Sequence, residues 1–339
     1  MQSSNPSESQ NTTPYPLPDF STTAKQEAYF APLLLKLNTL LYSENGKNFP
    51  QLFSYVWNHI TECTPSLLND KAVHAMEETH AKTVALFAGC IVDSQTPPGN
   101  IRELETAKVL VAGTIHDYSK DTAEERKFAL THHKIDQQFI DTEVAPGKYF
   151  GQEVTNKDVT EITEAIHCHS GRCGIIHEIY ITHGGKTEEC ASVFNHDKLT
   201  PESPLTSRAL SDADLLAQLI LRLPGNTDAE NAGLRSKLLS IIQARMKFDN
   251  HPTLGEAFDS IYARIDWLTD PNNRPLSNLD CSLMTPWAQS FCKDVLKPDY
   301  DRIAARIKLD PTLHDTKLQD LEAGLSQLES IMVDELTTH

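Results

Sequence analysis

The stretch Val109–Asp121, VLVAGTIHDYSKD, runs an apolar segment into an adjacent histidine and aspartate, His116 and Asp117. With the residues before it, from Ile101, the segment has the length and spacing of a buried helix that ends at the pair. A neutral imidazole and a carboxylate held side by side by one piece of backbone are two hard-to-borderline metal ligands. Alone the pair is weak evidence. Its meaning depends on which other ligating residues the chain turns toward a core.

Working outward, helical periodicity dominates. Amphipathic patterns cover Ala24–Leu41, Phe49–Ile60, Asn69–Ser94, Ile101–His116, Thr122–Thr142, Lys157–His169, Ser207–Leu223, Ala229–Phe248, Leu254–Leu268, Met284–Leu296, Tyr300–Ile307 and Leu318–Leu336. Prolines such as Pro97-Pro98, Pro146, Pro224, Pro271 and Pro311 mark breaks between them. The exception is GIIHEIYITHGGKTEE (Gly174–Glu189), whose β-branched and aromatic residues flank His183-Gly-Gly-Lys186 and suggest a short β-hairpin. The predicted fold class is all-α.

Residues at i, i+4, i+7 and i+11 share one helix face. His80 shares a face with Val84, Phe87 and Ile91; His132 with Phe128, Ile135 and Phe139; His169 with Val159, Ile162 and Ile166. By the same phase His133 and His167 fall away from those stripes. Asp212 groups with Ala209, Leu216 and Leu219, which makes it the inward aspartate and turns Asp214 to the other side. A single inward histidine is commonly a hydrogen-bonded core residue. A buried carboxylate, however, costs several kcal/mol without a cation or donors. Shared metal coordination by His80, His116, Asp117, His132, His169 and Asp212 satisfies all of them together. A rival structural zinc site in His167-Cys168-His169 and Cys173 lacks a regular Cys-x-x-Cys pair.

Whole-chain properties bound the function. The 339 residues carry 47 acidic against 30 basic side chains, a net charge of −17. That opposes binding of a nucleic-acid polymer or an anionic membrane. Apolar content is 39%, and no apolar run approaches the roughly 18 residues of a membrane span. Residues 1–22 are rich in Ser, Asn, Thr, Pro and Gln and read as a disordered tail without signal-peptide character. Seven scattered cysteines fit free thiols and a cytoplasmic setting.

On these residues the chain resembles the HD superfamily of metal-dependent phosphohydrolases over about Lys71–Leu223. His80 in HAKTVALFAG, the pair His116-Asp117, and Asp212 in LSDADLL carry the resemblance. Two details look like the bacterial HD-type symmetrical diadenosine tetraphosphate hydrolases. One is Tyr118-Ser119-Lys120 after the pair; the other is AIHCHSGR, with Ala165-Ile166, His169, Gly171 and Arg172.

The resemblance implies an HD-domain helical bundle over 69–225; beyond it the sequence pattern adds an insertion at about 170–206, N-terminal helices (23–68) and a helical region (226–339) packed on the core. It implies two divalent ions, Fe or Mn, with Mg, Ni or Zn as alternatives. His80, His116, Asp117 and Asp212 would hold one ion, and Asp117 would bridge to a second held by His132 and His169. Such a pair clamps phosphate and activates water for in-line attack. Lys120, about one helical turn past Asp117, would reach a phosphate oxygen or the leaving group. Arg172 would bind a further phosphate. The expected substrate is a nucleotide or other small phosphorylated metabolite. Two other readings stay open: a catalytically inactive nucleotide sensor, dimeric through the last helix, and a di-iron oxygenase on the same fold.

Overall fold

The computed structural model describes residues 16–39, 71–117, 147–149, 151–169, 179–183, 186–190, 199–200, 202–248, 251–269 and 282–337. Their order is α1 (Thr23–Thr39), α2 (Lys71–Gln95), α3 (Asn100–Ile115), β1 (Gly147–Tyr149), β2 (Gln152–Val154), α4 (Asn156–His167), β3 (Ile179–His183), β4 (Lys186–Cys190), α5 (Leu205–Ala217), α6 (Asp228–Phe248), α7 (Leu254–Thr269), α8 (Pro286–Phe291), α9 (Lys297–Lys308), α10 (Pro311–His314) and α11 (Leu321–Thr337). The class is all-α, decorated by two antiparallel hairpins, β1–β2 and β3–β4. The second hairpin is the one expected around His183–Lys186. The expected helices Phe49–Ile60 and Thr122–Thr142 lie outside the described residues.

Helix α2 is the axle. From Thr83 to Val92 its residues are buried on every side, and it packs on α1, α3, α5, α6 and α8. It stops at Thr96, where Pro97-Pro98 withdraws the next amide donors. Helix α3 follows at once and is buried from Thr106 to Ile115. A capping box starts α4: the Thr155 hydroxyl accepts from the Asp158 amide, and the Asp158 carboxylate accepts from the Thr155 amide. Lys108 of α3, buried, is paired with Glu105 (2.6 Å), Glu161 and Asp158 (3.7 Å), tying α3 to α4.

Of the expected N-terminal tail, residues 16–22 are described, and Phe20 among them is part of the core. Phe20 is 2% exposed and meets Tyr29, Phe30, Trp287 and Phe291 edge-on or stacked. The polar composition of the first residues masked one aromatic anchor. Tyr29 donates to the Cys90 carbonyl (3.3 Å) and accepts from Trp287 Nε1 (3.0 Å), joining α1, α2 and α8. On the far side α6, α7, α9 and α11 pack together, and the Tyr300 hydroxyl, buried, donates to the Leu219 carbonyl. Among the described residues, no helix is long and apolar enough to cross a membrane.

Candidate metal centre

Four elements bring five side chains to one point. His80 comes from the middle of α2, His116 and Asp117 from the turn that ends α3, His169 from just beyond α4, and Asp214 from α5. All five are buried. His80 Nε2 lies 3.2 Å from Asp214 Oδ1 and 3.6 Å from Asp117 Oδ2. His116 Nε2 lies 3.2 Å from Asp117 Oδ2 and 3.7 Å from Asp214 Oδ1. His169 Nε2 lies 4.0 Å from the other oxygen of Asp117, Oδ1.

Local backbone aims two of the rings. His116 Nδ1 is 2.7 Å from the Gly113 carbonyl, and His169 Nδ1 bonds the Ile166 carbonyl in the same way, three residues back. A carbonyl only accepts, so each Nδ1 carries the proton and each Nε2 presents its lone pair to the centre. That is the usual way a histidine is oriented toward a metal. The rings of His116 and His169 meet edge-on at 5.0 Å, and those of His80 and His116 at 5.5 Å.

Among the described residues, two groups have ligating atoms close enough to share an ion: His80, His116 and Asp214, and His116, Asp117 and His169. Burial alone would push the Asp214 carboxyl up. The hydrogen bond from His80, and the charges of His80, His116 and His169 when those rings are protonated, outweigh it and hold Asp214 well below the usual carboxylate range. With the rings neutral, the set offers imidazole nitrogen lone pairs beside carboxylate oxygens, all buried. Such donors fit a divalent first-row metal.

Asp212 is where the structure corrects the sequence reading. It is buried, but its carboxylate turns away from the histidines. It accepts from the Met284 amide (3.0 and 3.1 Å to its two oxygens), the Thr285 amide (2.8 Å) and the Thr285 hydroxyl (2.7 Å). Burial pushes its carboxyl up to about 7, against the pull of Thr285 and Met284. Asp214 stands where Asp212 was expected. Helical phase failed because α5 is buried all round, with Ala209, Leu210, Ala213, Leu215, Leu216 and Ala217 inside. An apolar stripe identifies the inward face only when the opposite face is wet. That all-round apolarity was itself legible, and should have kept both aspartates in play.

His167, set aside by phase, is half-buried and belongs to neither group. His132, Lys120 and Arg172 lie outside the described residues. Comparison of the chain with protein-family models, with curated proteins and with solved structures found no match.

Proposed function

We propose that the protein is a metal-dependent phosphohydrolase whose centre is held by His80, His116, Asp117 and Asp214. The observation that carries this reading is the convergence of those four buried side chains from three helical segments, in the chain order histidine, histidine-aspartate, aspartate. With Asp214 in place of Asp212, that order keeps the pattern on which the resemblance to the HD superfamily rests. An ion bound there supplies Lewis acidity, polarising a phosphoryl oxygen and making water nucleophilic near neutral pH.

Two ions are favoured over one by the orientation of Asp117. Its Oδ2 faces His80 and His116 while its Oδ1 faces His169, as a bridging carboxylate would. His116 has one nitrogen to give, because Nδ1 is bonded to Gly113, so it serves one ion only. A second ion would then take Asp117 Oδ1 and His169, with His132 as the further ligand implied by the resemblance. Fe or Mn suits this nitrogen and oxygen set. The net charge of −17 repels phosphates, so binding a nucleotide or small phosphorylated metabolite depends on the ions, with Lys120 and Arg172 as the phosphate-binding cations.

The test is a hydrolysis screen over mono-, di-, cyclic and dinucleoside polyphosphates with Mn or Fe added, alongside elemental analysis of the purified protein. Turnover that vanishes in His116→Ala and Asp117→Ala protein is expected. Protein that holds no metal and gains no activity from either ion would overturn the proposal.

A further inference from the structure

Asp212 has no ligand role in this geometry, yet it is among the most heavily bonded carboxylates in the core. Resting on the metal-centre reading above, we propose that Asp212 is a positioning residue: by gripping the turn before α8 it sets the rotation of α5 that directs Asp214 at His80 and His116.

Two residues apart on a helix are roughly 200° apart around its axis, so Asp212 and Asp214 project to opposite sides of α5. The flank of α5 is made of Ala209, Ala213, Ala217 and leucines, all buried. Such surfaces are non-directional and do not by themselves single out one rotation of the helix, although Thr206 at its start donates to Glu105 of α3 (3.1 Å). The bonds to Asp212 are directional. Met284 and Thr285 offer backbone amides, and Thr285 adds its hydroxyl, on the reverse side from the metal centre. The same turn also reaches the helix that carries His80. Trp287, two residues after Thr285, packs against Phe87 of α2 with ring centroids 5.6 Å apart. Phe87 is on the His80 face, two turns along. One short stretch, Met284–Trp287, therefore registers α2 and α5 against each other, and with them His80 and Asp214.

Asp212→Asn is nearly isosteric but turns one acceptor into a donor facing the amides of Met284 or Thr285. Thr285→Val removes one bond and keeps the carboxylate. Cobalt(II) is the probe, because its visible bands report ligand geometry as well as occupancy. In full-length protein, Asp212→Asn is expected to weaken cobalt binding on the order of tenfold and change the bands, with a smaller effect in Thr285→Val. In an Asp214→Asn background, Asp212→Asn is expected to cause no further loss, because its effect passes through Asp214.

A lowered melting temperature with unchanged cobalt affinity and spectrum in both single variants would overturn the inference. If Asp212→Asn does not fold, Thr285→Val decides it. If the wild type takes up no cobalt, the metal-centre reading fails on its own. The positional claim is then decided by the ring-nitrogen NMR signals of His80. A change in Asp212→Asn or Thr285→Val protein upholds it, and unchanged signals overturn it.

Discussion

Gly113 of α3 and Ala85 of α2 touch backbone to backbone: a Cβ on Gly113 would stand 2.6 Å from Ala85 Cα and 2.8 Å from its nitrogen. The contact lies close to both histidines in sequence, with His80 five residues before Ala85 and His116 three residues after Gly113. Gly113→Ala is therefore expected to push α2 and α3 apart and separate the two rings. The expected destabilisation is about 1–3 kcal/mol, as for overpacking elsewhere, with weaker metal binding measured by titration. Gly89→Ala is the control. Its Cβ meets only side-chain tips, Leu33 at 3.0 Å and Leu110 at 3.4 Å, which can swing aside, so its melting temperature should change less.

His169 faces the Oδ1 oxygen of Asp117 and shares a possible ion with His116 and Asp117, whereas Asp214 groups with His80 and His116. In a two-ion centre, His169→Ala should lose one equivalent of metal by elemental analysis and keep the ion held by His80, His116, Asp117 and Asp214. Unchanged stoichiometry would remove His169 from the ligand set.

Lys108 predicts a pH signature. Burial works against its ammonium, and the carboxylates of Glu105 and Glu161 override that, leaving its pKa above the ordinary value of 10.5. A raised value in the fold means the stabilisation is fully present below 10.5 and is lost as pH climbs through the folded value. Lys108→Met should cost roughly 1–3 kcal/mol near neutrality, since it strands partly buried carboxylates. The gap between variant and wild-type melting temperatures should close in the alkaline range. A gap that persists unchanged up to the alkaline limit of folding would contradict the assignment.

Tyr29 bridges Cys90 and Trp287 through one hydroxyl. Tyr29→Phe keeps the ring among Phe20, Phe30 and Trp287 but leaves the Trp287 indole N–H without its acceptor. A loss of about 1–2 kcal/mol in denaturant unfolding is expected. Burial also holds the Tyr29 phenol far above the usual tyrosine value. Its absorbance should therefore stay that of the neutral phenol when exposed tyrosines ionise.

Helices α2 and α3 were readable because each is a long apolar run with a clear stop. Pro97-Pro98 ends α2, and the pair His116-Asp117 ends α3. What failed to read had physical reasons. The β1–β2 hairpin is three residues a side with its bend at Gly151, too short for any periodicity to register. The patterns Met284–Leu296 and Tyr300–Ile307 leave a gap that contains Pro298, yet the chain stays helical through it. The wider π turn Cys292–Leu296 sits where the proline ring would otherwise meet the carbonyl of Asp294. Pro311 also looked like an end and instead opens α10, the position where a missing amide hydrogen costs nothing. The choice between Asp212 and Asp214 needed tertiary structure, because the partners that separate them, Thr285 and His80, lie far away in sequence.

The grip of Thr285 on Asp212 also has a consequence for synthesis. Every ligand of the proposed first ion has left the ribosome once Asp214 has emerged, but the turn that holds α5 follows some seventy residues later. Until Met284–Trp287 arrives, the Asp212 carboxylate must stay hydrated or bond elsewhere, and α5 lacks that anchor. The nascent chain thus carries the residues for its metal before it carries the means to arrange them, and loading is expected to be a late event in biogenesis.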